Sequence, residues 1–312
     1  MESTAGAGGY AVVPPIHSTM TAERFRKCLR ATFLAAAAAL LVALPLAARA
    51  QPDHGHPGHD HDGAELGHAG TGAHAAHPHF THPLVTESPI PENQARFDVG
   101  FVRASDDGAD ELAAEASVEV ALTPNVGLEF ALPYVWIDPG DDDGADGVGN
   151  AEFALKFADY RFGRSGLVLG AGLELELPTG DDDAGTGDDR QIGLEPYFGF
   201  GYRRGDFELI GLLRFGVPVN ERPADEDEVD LELAADVSLL CHLAPRVAGL
   251  LEFNGAAVVA GEADDTVLAV NPGVSFDASG DGRLRVGVGF GVPLTDDAGY
   301  DYEARTMVIL HF

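Results

Sequence analysis

The chain has 312 residues, which is enough for one large domain or two small ones. Its formal net charge of −32 excludes nucleic acid and anionic membrane surfaces as expected partners, because binding either one requires an excess of Lys and Arg. Acidic loops that face water explain this charge more simply. The only two cysteines are Cys28 and Cys241, and Cys28 lies in a segment that we expect to be removed, so no disulfide framework is predicted.

The amino-terminal region has the layout of a secretory signal. Basic residues precede an apolar run from Ala31 to Ala48, and a small-residue cleavage site, Ala48-Arg49-Ala50, follows. A single membrane-spanning anchor is the alternative, since the run is near the minimum spanning length. The alanine content of the run and the cleavage site favour removal. We therefore predict that residues 1–50 are a cleaved signal peptide and that translation starts at Met20.

Residues 51–94 are rich in histidine and are predicted to form a disordered periplasmic segment, because they show no apolar period. Imidazoles on a flexible backbone with aspartates nearby can bind zinc, copper or nickel. Two interpretations stay open, a metal-binding tail and a solvated spacer with incidental affinity for metals. The candidate metal ligands are His54, His56, His59, His61, His68, His74, His77, His79 and His82.

Beyond Ala95 the apolar residues recur with a period of two, which predicts β-strands. About twelve such runs follow, an even number, as a closed bacterial barrel requires. Short turns alternate with longer acidic loops, which favours an outer-membrane barrel over a soluble sandwich. We predict an all-β fold in which residues 95–312 form a transmembrane antiparallel up-and-down β-barrel of about 12 strands. It should lie in the outer membrane of a Gram-negative bacterium, with both termini periplasmic.

The last residue, Phe312, follows an alternating strand. This arrangement resembles the carboxy-terminal sorting signal of outer-membrane barrels, in which a terminal aromatic residue is recognised by the assembly machinery. An ordinary final strand is the alternative, and it does not require an aromatic residue at its end. The expected partners are therefore the barrel assembly machinery, outer-membrane lipid and lipopolysaccharide, together with a small solute.

Two short strings carry a family resemblance: Gly147 to Lys156 (GVGNAEFALK) and Leu177 to Asp181 (LPTGD). They resemble strings in a family of outer-membrane transporters linked with meta-pathway degradation of phenol. The resemblance covers the barrel only, and it implies a barrel that admits small, often aromatic or hydrophobic, solutes. The family commonly has Asp where this chain has Asn150, so a role for that acid is not carried over.

The inward-facing positions of the predicted barrel are mostly acidic, and twelve strands leave at most a narrow passage. If the lumen contains water it should prefer cations, and the alternative is an immobile interior in which the bases pair with acids across strands. Inward glycines either border a path or relieve strain where the sheet curves. The candidate pore-lining residues are Glu152, Lys156, Glu174, Glu176, Glu195, Arg214, Glu232, Asp236, Glu252, Arg285 and Arg305.

The long loops carry clustered carboxylates such as Asp181 to Asp183, which either bind Ca²⁺ or Mg²⁺ or are simply solvated. None has the spacing of an EF-hand loop, which favours solvation. Recognised catalytic motifs are missing, so we do not predict an enzyme. The leading hypothesis is a channel or transporter for small solutes, hydrophobic or aromatic, or for cations. The alternative is a non-conducting barrel that binds metal or a periplasmic partner through its His-rich segment.

Overall fold

The computed structural model describes residues 79–105, 108–138, 144–162, 165–220, 229–261 and 266–312. The predicted signal peptide and residues 51–78 lie outside the described residues. The described residues contain thirteen strands: β1 Gln94–Ala104, β2 Asp110–Thr123, β3 Val126–Asp138, β4 Ala145–Val148, β5 Ala151–Asp159, β6 Leu167–Leu177, β7 Gly193–Arg204, β8 Phe207–Pro218, β9 Val229–Ala244, β10 Val247–Gly261, β11 Thr266–Asp277, β12 Leu284–Pro293 and β13 Tyr300–His311. A short 3-10 helix, Asp296–Ala298, precedes the last strand.

Twelve of these strands close into a barrel. Each strand pairs in an antiparallel sense with its neighbour in the chain, and β1 pairs with β13 to close the sheet. The short strand β4 pairs with Tyr134–Ile137 of β3 and is not one of the twelve strands that close the barrel. This confirms the prediction of an antiparallel barrel of about twelve strands. Within the described residues, no helix is long and apolar enough to cross a membrane.

The outer face of the barrel is apolar. On β5 the side chains of Phe153, Leu155 and Phe157 are exposed, whereas those of the alternating residues Ala154 and Lys156 are buried. The same exposed apolar face continues around the barrel through Leu128, Phe130, Leu173, Phe198, Leu239, Leu251, Phe253, Phe276, Val288 and Phe290. A continuous apolar belt on closed strands is the surface that a lipid bilayer covers.

The two ends of the barrel differ. One end carries short turns, including the tight β7–β8 turn in which Gly205 takes a left-handed φ of 61°. The other end carries the longer connections, such as residues 178–192 and 219–228. We call them the short-turn end and the long-loop end. Strand β1 begins and strand β13 ends at the short-turn end. There the Phe312 N–H donates to the Asn93 carbonyl at 3.1 Å.

Residues 79–93 enter the lumen from the short-turn end, and we call them the plug. Phe80, Leu84 and Ile90 are buried and pack in one apolar cluster with wall residues of β5, β6, β8, β9, β10 and β13. This corrects the disorder predicted for residues 51–94 in its last part. The reason is that these apolar side chains, although they follow no helical or strand period, remove apolar surface from water inside the barrel.

Candidate functional site

The wall of the lumen has glycines where the plug lies against it. A methyl group at Gly289 would lie 2.3 Å from Leu84 Cδ1, and one at Gly201 would lie 2.5 Å from Phe80 Cζ. Plug atoms occupy the space in the same way over Gly127, Gly170, Gly199, Gly273 and Gly287. These glycines therefore make room for the plug, a use that differs from both interpretations offered for the inward glycines by the sequence alone.

The carboxylate of Glu252 on β10 holds the tip of the plug. Its Oε1 accepts the Leu84 N–H at 2.7 Å, and its Oε2 accepts those of Thr86 at 2.9 Å and Val85 at 3.1 Å. The Ser238 hydroxyl donates to the same carboxylate at 2.9 Å. Glu252 is completely buried, and each hydrogen bond to a charged group contributes about 1.5–3 kcal/mol. An irregular chain has no ladder partner for its N–H groups, so this carboxylate satisfies three of them.

Two further buried carboxylates hold the two ends of the plug. Glu208 on β8 accepts the Thr81 N–H at 2.6 Å and lies 2.8 Å from His242 Nε2. Glu119 on β2 accepts the Glu92 N–H at 3.0 Å. Neither was among the candidate pore-lining residues, because the sequence pattern shows which residues face inward but not which of them meet the plug. The sequence offers one signal for them, which is that each is an inward-facing acid toward the short-turn end of its strand.

Wall bases also bind the plug. Arg96 donates to the Leu84 carbonyl at 2.7 Å, and Arg203 donates to the His79 carbonyl at 3.1 Å. Lys156 Nζ lies 3.2 Å from the Glu87 carboxylate of the plug. The plug is thus held by hydrogen bonds and ion pairs that come from both acidic and basic wall residues.

At its base, the two legs of the plug meet beside the end of β13. His79 Nδ1 lies 3.4 Å from Glu92 Oε1, and His82 Nε2 lies 2.6 Å from Glu92 Oε2. The hydrogen bond to Glu92 raises the pKa of His79. Burial raises the pKa of Glu92, but attraction to His82 and the hydrogen bond from His79 outweigh it and hold that pKa well below its usual range. The His311 ring lies beside the His82 ring, with centroids 5.1 Å apart and the ring planes tilted by 38°.

The predicted pore-lining residues fall into two groups by position and charge. One group contains all of the bases, makes hydrogen bonds or ion pairs with other wall groups or with the plug, and consists of Lys156, Arg214, Asp236, Glu252, Arg285 and Arg305. The other group is entirely acidic, lies toward the long-loop end and includes one acid, Glu176, that accepts the Asn150 amide: Glu152, Glu174, Glu176, Glu195 and Glu232. Strand alternation puts both groups on the face opposite the apolar belt.

In the acidic group, carboxylates face each other. Glu152 lies directly opposite Glu176 across β5 and β6, and Glu174 lies opposite Glu195 across β6 and β7. Like charges placed directly opposite destabilise a sheet, so such pairs are costly unless they serve a further purpose. A small cavity next to them is lined by Glu87, Glu115, Glu129, Glu152 and Glu174. Lys156 reaches Glu87 and Glu129, which leaves this part of the lumen with a surplus of carboxylates.

Two of the inward arginines pair with acids, and a third donates to a hydroxyl. Arg214 Nη2 lies 2.8 Å from Asp236 Oδ2, and Arg305 contacts the Glu303 carboxylate. Arg285 donates to the Ser275 hydroxyl at 3.1 Å. The Arg214–Asp236 pair joins two strands, whereas the Arg305–Glu303 pair lies within β13.

The two strings that carry the family resemblance contact each other at the long-loop end. The Thr179 hydroxyl donates to the Gly149 carbonyl at 2.7 Å and accepts the Ala151 N–H at 2.9 Å. Asn150 accepts the Gly180 N–H at 3.0 Å and donates its own amide to Glu176 at 2.5 Å. An Asp at this position could accept but could not donate, so the neighbouring Glu176 gives a physical reason for Asn150 in this chain.

The predicted metal ligands are only partly covered by the described residues. His79 and His82 lie at the base of the plug, and the other seven candidate histidines lie outside the described residues. In the acidic loop after β6, Arg190 lies 2.9 Å from Asp182 and 2.9 Å from Asp189. These aspartates therefore have a basic partner within the chain.

A closed barrel with an apolar exterior and a charged, partly filled interior defines the class of outer-membrane β-barrel channels. The profile of the family described as "Putative MetA-pathway of phenol degradation" matches residues 89–306, more than half of the chain. The chain belongs to this family. The match begins inside the plug, so it leaves out Leu84 and His82.

One solved structure shows the same fold, and another is reported with a lower similarity. The COG4313 outer membrane channel from Pseudomonas putida F1 is 14% identical, with a TM-score of 0.56, and the alignment covers 72% of this chain and 97% of that one. The NanC porin is 7% identical with a TM-score of 0.49, over 70% of this chain and 98% of that one. A search of curated proteins finds no match. At 14% identity the likeness to the COG4313 channel concerns the fold.

Proposed function

We propose that this protein is a channel that passes small solutes across the outer membrane and that the plug sets the width of its passage. The observation that carries the proposal is the surplus of carboxylates on the long-loop side of the plug, which is itself held by hydrogen bonds. A barrel interior that served only as a packed core would gain nothing from like charges placed opposite one another. Carboxylates beside a water-filled passage attract cations and exclude anions.

The solute class we propose is small and hydrophobic or aromatic. Its support is the family description, which names phenol degradation, together with the narrowness that the plug imposes on a twelve-strand barrel. Among ions, the acidic group favours cations. We propose no catalytic role for any residue of the lumen.

The proposed orientation places the short-turn end in the periplasm and the long acidic loops outside. Both termini of the barrel lie at the short-turn end, as they do in outer-membrane barrels with periplasmic turns. The loops would then face lipopolysaccharide, and the final strand with Phe312 would be read by the assembly machinery from the periplasm. Protease cleavage of intact cells in a long loop, without cleavage in a short turn, is the expected result. The reverse pattern would contradict the orientation.

Planar bilayer recording tests the proposed channel. We expect the refolded protein to give stable steps whose reversal potential in a salt gradient shows a preference for cations. Phenol added on one side should reduce the ion current in proportion to its concentration, because it would share the same passage. Glycerol, a small polar solute, serves as the control and should reduce the current less. Equal effects of the two solutes would remove the proposed solute class.

The second candidate function is a non-conducting barrel that acts through its His-rich segment. Two observations favour it: the plug fills the half of the lumen toward the short-turn end, and the inward base Arg214 is paired with Asp236. The same recording separates the two functions. A bilayer that stays silent with the protein and also with a variant whose plug is loosened would favour the non-conducting barrel.

A further inference from the structure

Three potential metal ligands from separate parts of the chain converge at the base of the plug. They are His82 on one leg of the plug, Glu92 on the other leg and His311 at the end of β13. Their ligand atoms all lie within 4.8 Å of one another. His82 and Glu92 are buried, and His311 is partly buried.

Two of these ligand atoms form a buried ion pair. His82 Nε2 and Glu92 Oε2 lie 2.6 Å apart, and neither atom has a further hydrogen-bond partner. Both atoms are thus directed at the cluster and at no other group, so a bound ion would supply the additional contact that buried polar atoms usually have. Glu92 Oε1 is occupied differently, because it accepts a hydrogen bond from His79 at 3.4 Å. That contact orients the carboxylate in the way that outer partners orient metal ligands.

We propose that His82, Glu92 and His311 bind one divalent late transition metal ion, with Zn²⁺ as the type case, and that the ion locks the plug to the last strand. Two imidazoles and a carboxylate form a ligand set that zinc accepts, with a fourth position left for water. Zinc bonds of about 2.0–2.1 Å hold tetrahedral ligand atoms about 3.4 Å apart. The ligand atoms, 2.6 Å apart in the His82–Glu92 pair and all within 4.8 Å, would shift to reach that spacing.

The position of the site gives it a structural consequence. An ion bound there joins both legs of the plug to β13, so release of the plug requires loss of a metal ligand. The stabilisation by a bound ligand follows its concentration relative to its dissociation constant, so the plug would be firmer when zinc is abundant. Seven further histidines lie upstream in the same chain, between His54 and His77, where they can raise the local concentration of the ion.

The test uses the full chain in which those seven upstream histidines are replaced by alanine, which removes competing sites: His54, His56, His59, His61, His68, His74 and His77. Isothermal titration of this folded barrel with Zn²⁺ should give one ion per chain. His311→Ala in the same background should weaken binding by more than about tenfold. His242→Ala is the matched control, since His242 also lies at the short-turn end but contacts Glu208 instead, and it should leave the affinity unchanged.

Glu92→Gln provides a second variant that keeps the shape of the side chain, and folding of every variant is checked by its heat-modifiable migration on a gel. No zinc bound by the chain without upstream histidines would overturn the site. Equal affinity of the His311→Ala and His242→Ala chains, together with unchanged affinity of the Glu92→Gln chain, would overturn it as well.

The effect of zinc on ion current rests on the proposed channel function and is measured separately. Zinc should lower the single-channel current of the parent chain and leave the His311→Ala variant unaffected. If zinc binds with the predicted stoichiometry but the current does not change, the site stands and its effect on the plug is wrong.

Discussion

The two halves of the lumen contain the same kind of side chain in different surroundings. Toward the short-turn end, the carboxylates of Glu208 and Glu252 are buried and accept backbone N–H groups of the plug. Toward the long-loop end, Glu174 faces Glu195 across two strands. The comparison teaches that an inward Glu is structural where the chain supplies donors, and that it creates a negative potential where the chain supplies another acid.

The largest expected effect on docking of the plug comes from shortening its buried apolar side chain Leu84, in the half of the lumen toward the short-turn end. Leu84 is only 1% exposed and lies against three wall glycines, so Leu84→Ala should weaken docking of the plug by about 2–5 kcal/mol. Hydrogen exchange of the plug amides, followed by mass spectrometry, measures this change. Val85→Ala is the matched control, because Val85 is only partly buried, and it should accelerate exchange less. Equal acceleration by both variants would contradict the role of Leu84.

A somewhat smaller effect is expected from the carboxylate that holds the tip. Glu252→Gln puts an amide donor where Oε1 or Oε2 accepts backbone N–H groups, and should weaken docking by about 1.5–3 kcal/mol. The same exchange experiment reports it. Glu174→Gln is the control from the other half, and it should leave exchange of the plug unchanged. If Glu174→Gln loosens the plug as much as Glu252→Gln does, the distinction between the two halves fails.

Ion selectivity should depend on the acidic group at the long-loop end and not on the carboxylates that hold the plug. Replacing Glu174 and Glu176 together by Gln removes two carboxylates from the acidic group and should lower the preference for cations without enlarging the single-channel current. The reversal potential in a salt gradient gives the preference. Asp281→Asn, in the exposed turn between β11 and β12, removes a charge outside the lumen and should have no effect. Reversal potentials that stay the same in the double variant would show that the acidic group at the long-loop end does not set the preference for cations.

The smallest expected effect concerns Asn150. Asn150→Asp removes the donor to Glu176 and places a like charge beside it, which should cost about 0.2–1 kcal/mol of stability. Denaturant unfolding of the barrel measures the change. In a Glu176→Gln background the cost should disappear, since the like charge is gone. A cost that persists there would assign it to another contact of Asn150.

The sequence predicts the barrel well and the plug poorly, and the reasons are physical. Strands such as β5 and β7 alternate apolar and polar residues with a period of two, so their faces and their number can be counted. The plug has no period, because irregular backbone makes its contacts with residues that are distant in sequence, such as Leu84 with Glu252. Phe80, Leu84 and Ile90 were visible as apolar residues in a polar segment, but their position depends on the closed wall around them.

The inward-facing residues could be predicted, whereas their roles could not. Strand parity places Glu208 and Glu174 on the same face and gives no means of telling them apart. Gly289 and Gly201 fit a path, a curved sheet or a close approach equally well until the plug is seen to lie over them. The proposed zinc ligands were predicted only in part for a similar reason, since Glu92 is not a histidine and His311 lies at the other end of the barrel sequence from His82.

The measurement that tests the account most directly is the single-channel current of the parent chain against that of the Leu84→Ala, Glu252→Gln double variant. The account predicts a larger current in the double variant with the same preference for cations, because the plug narrows the passage and the upper acidic group is unchanged. Equal currents in the two proteins, with both barrels folded and inserted, would contradict it.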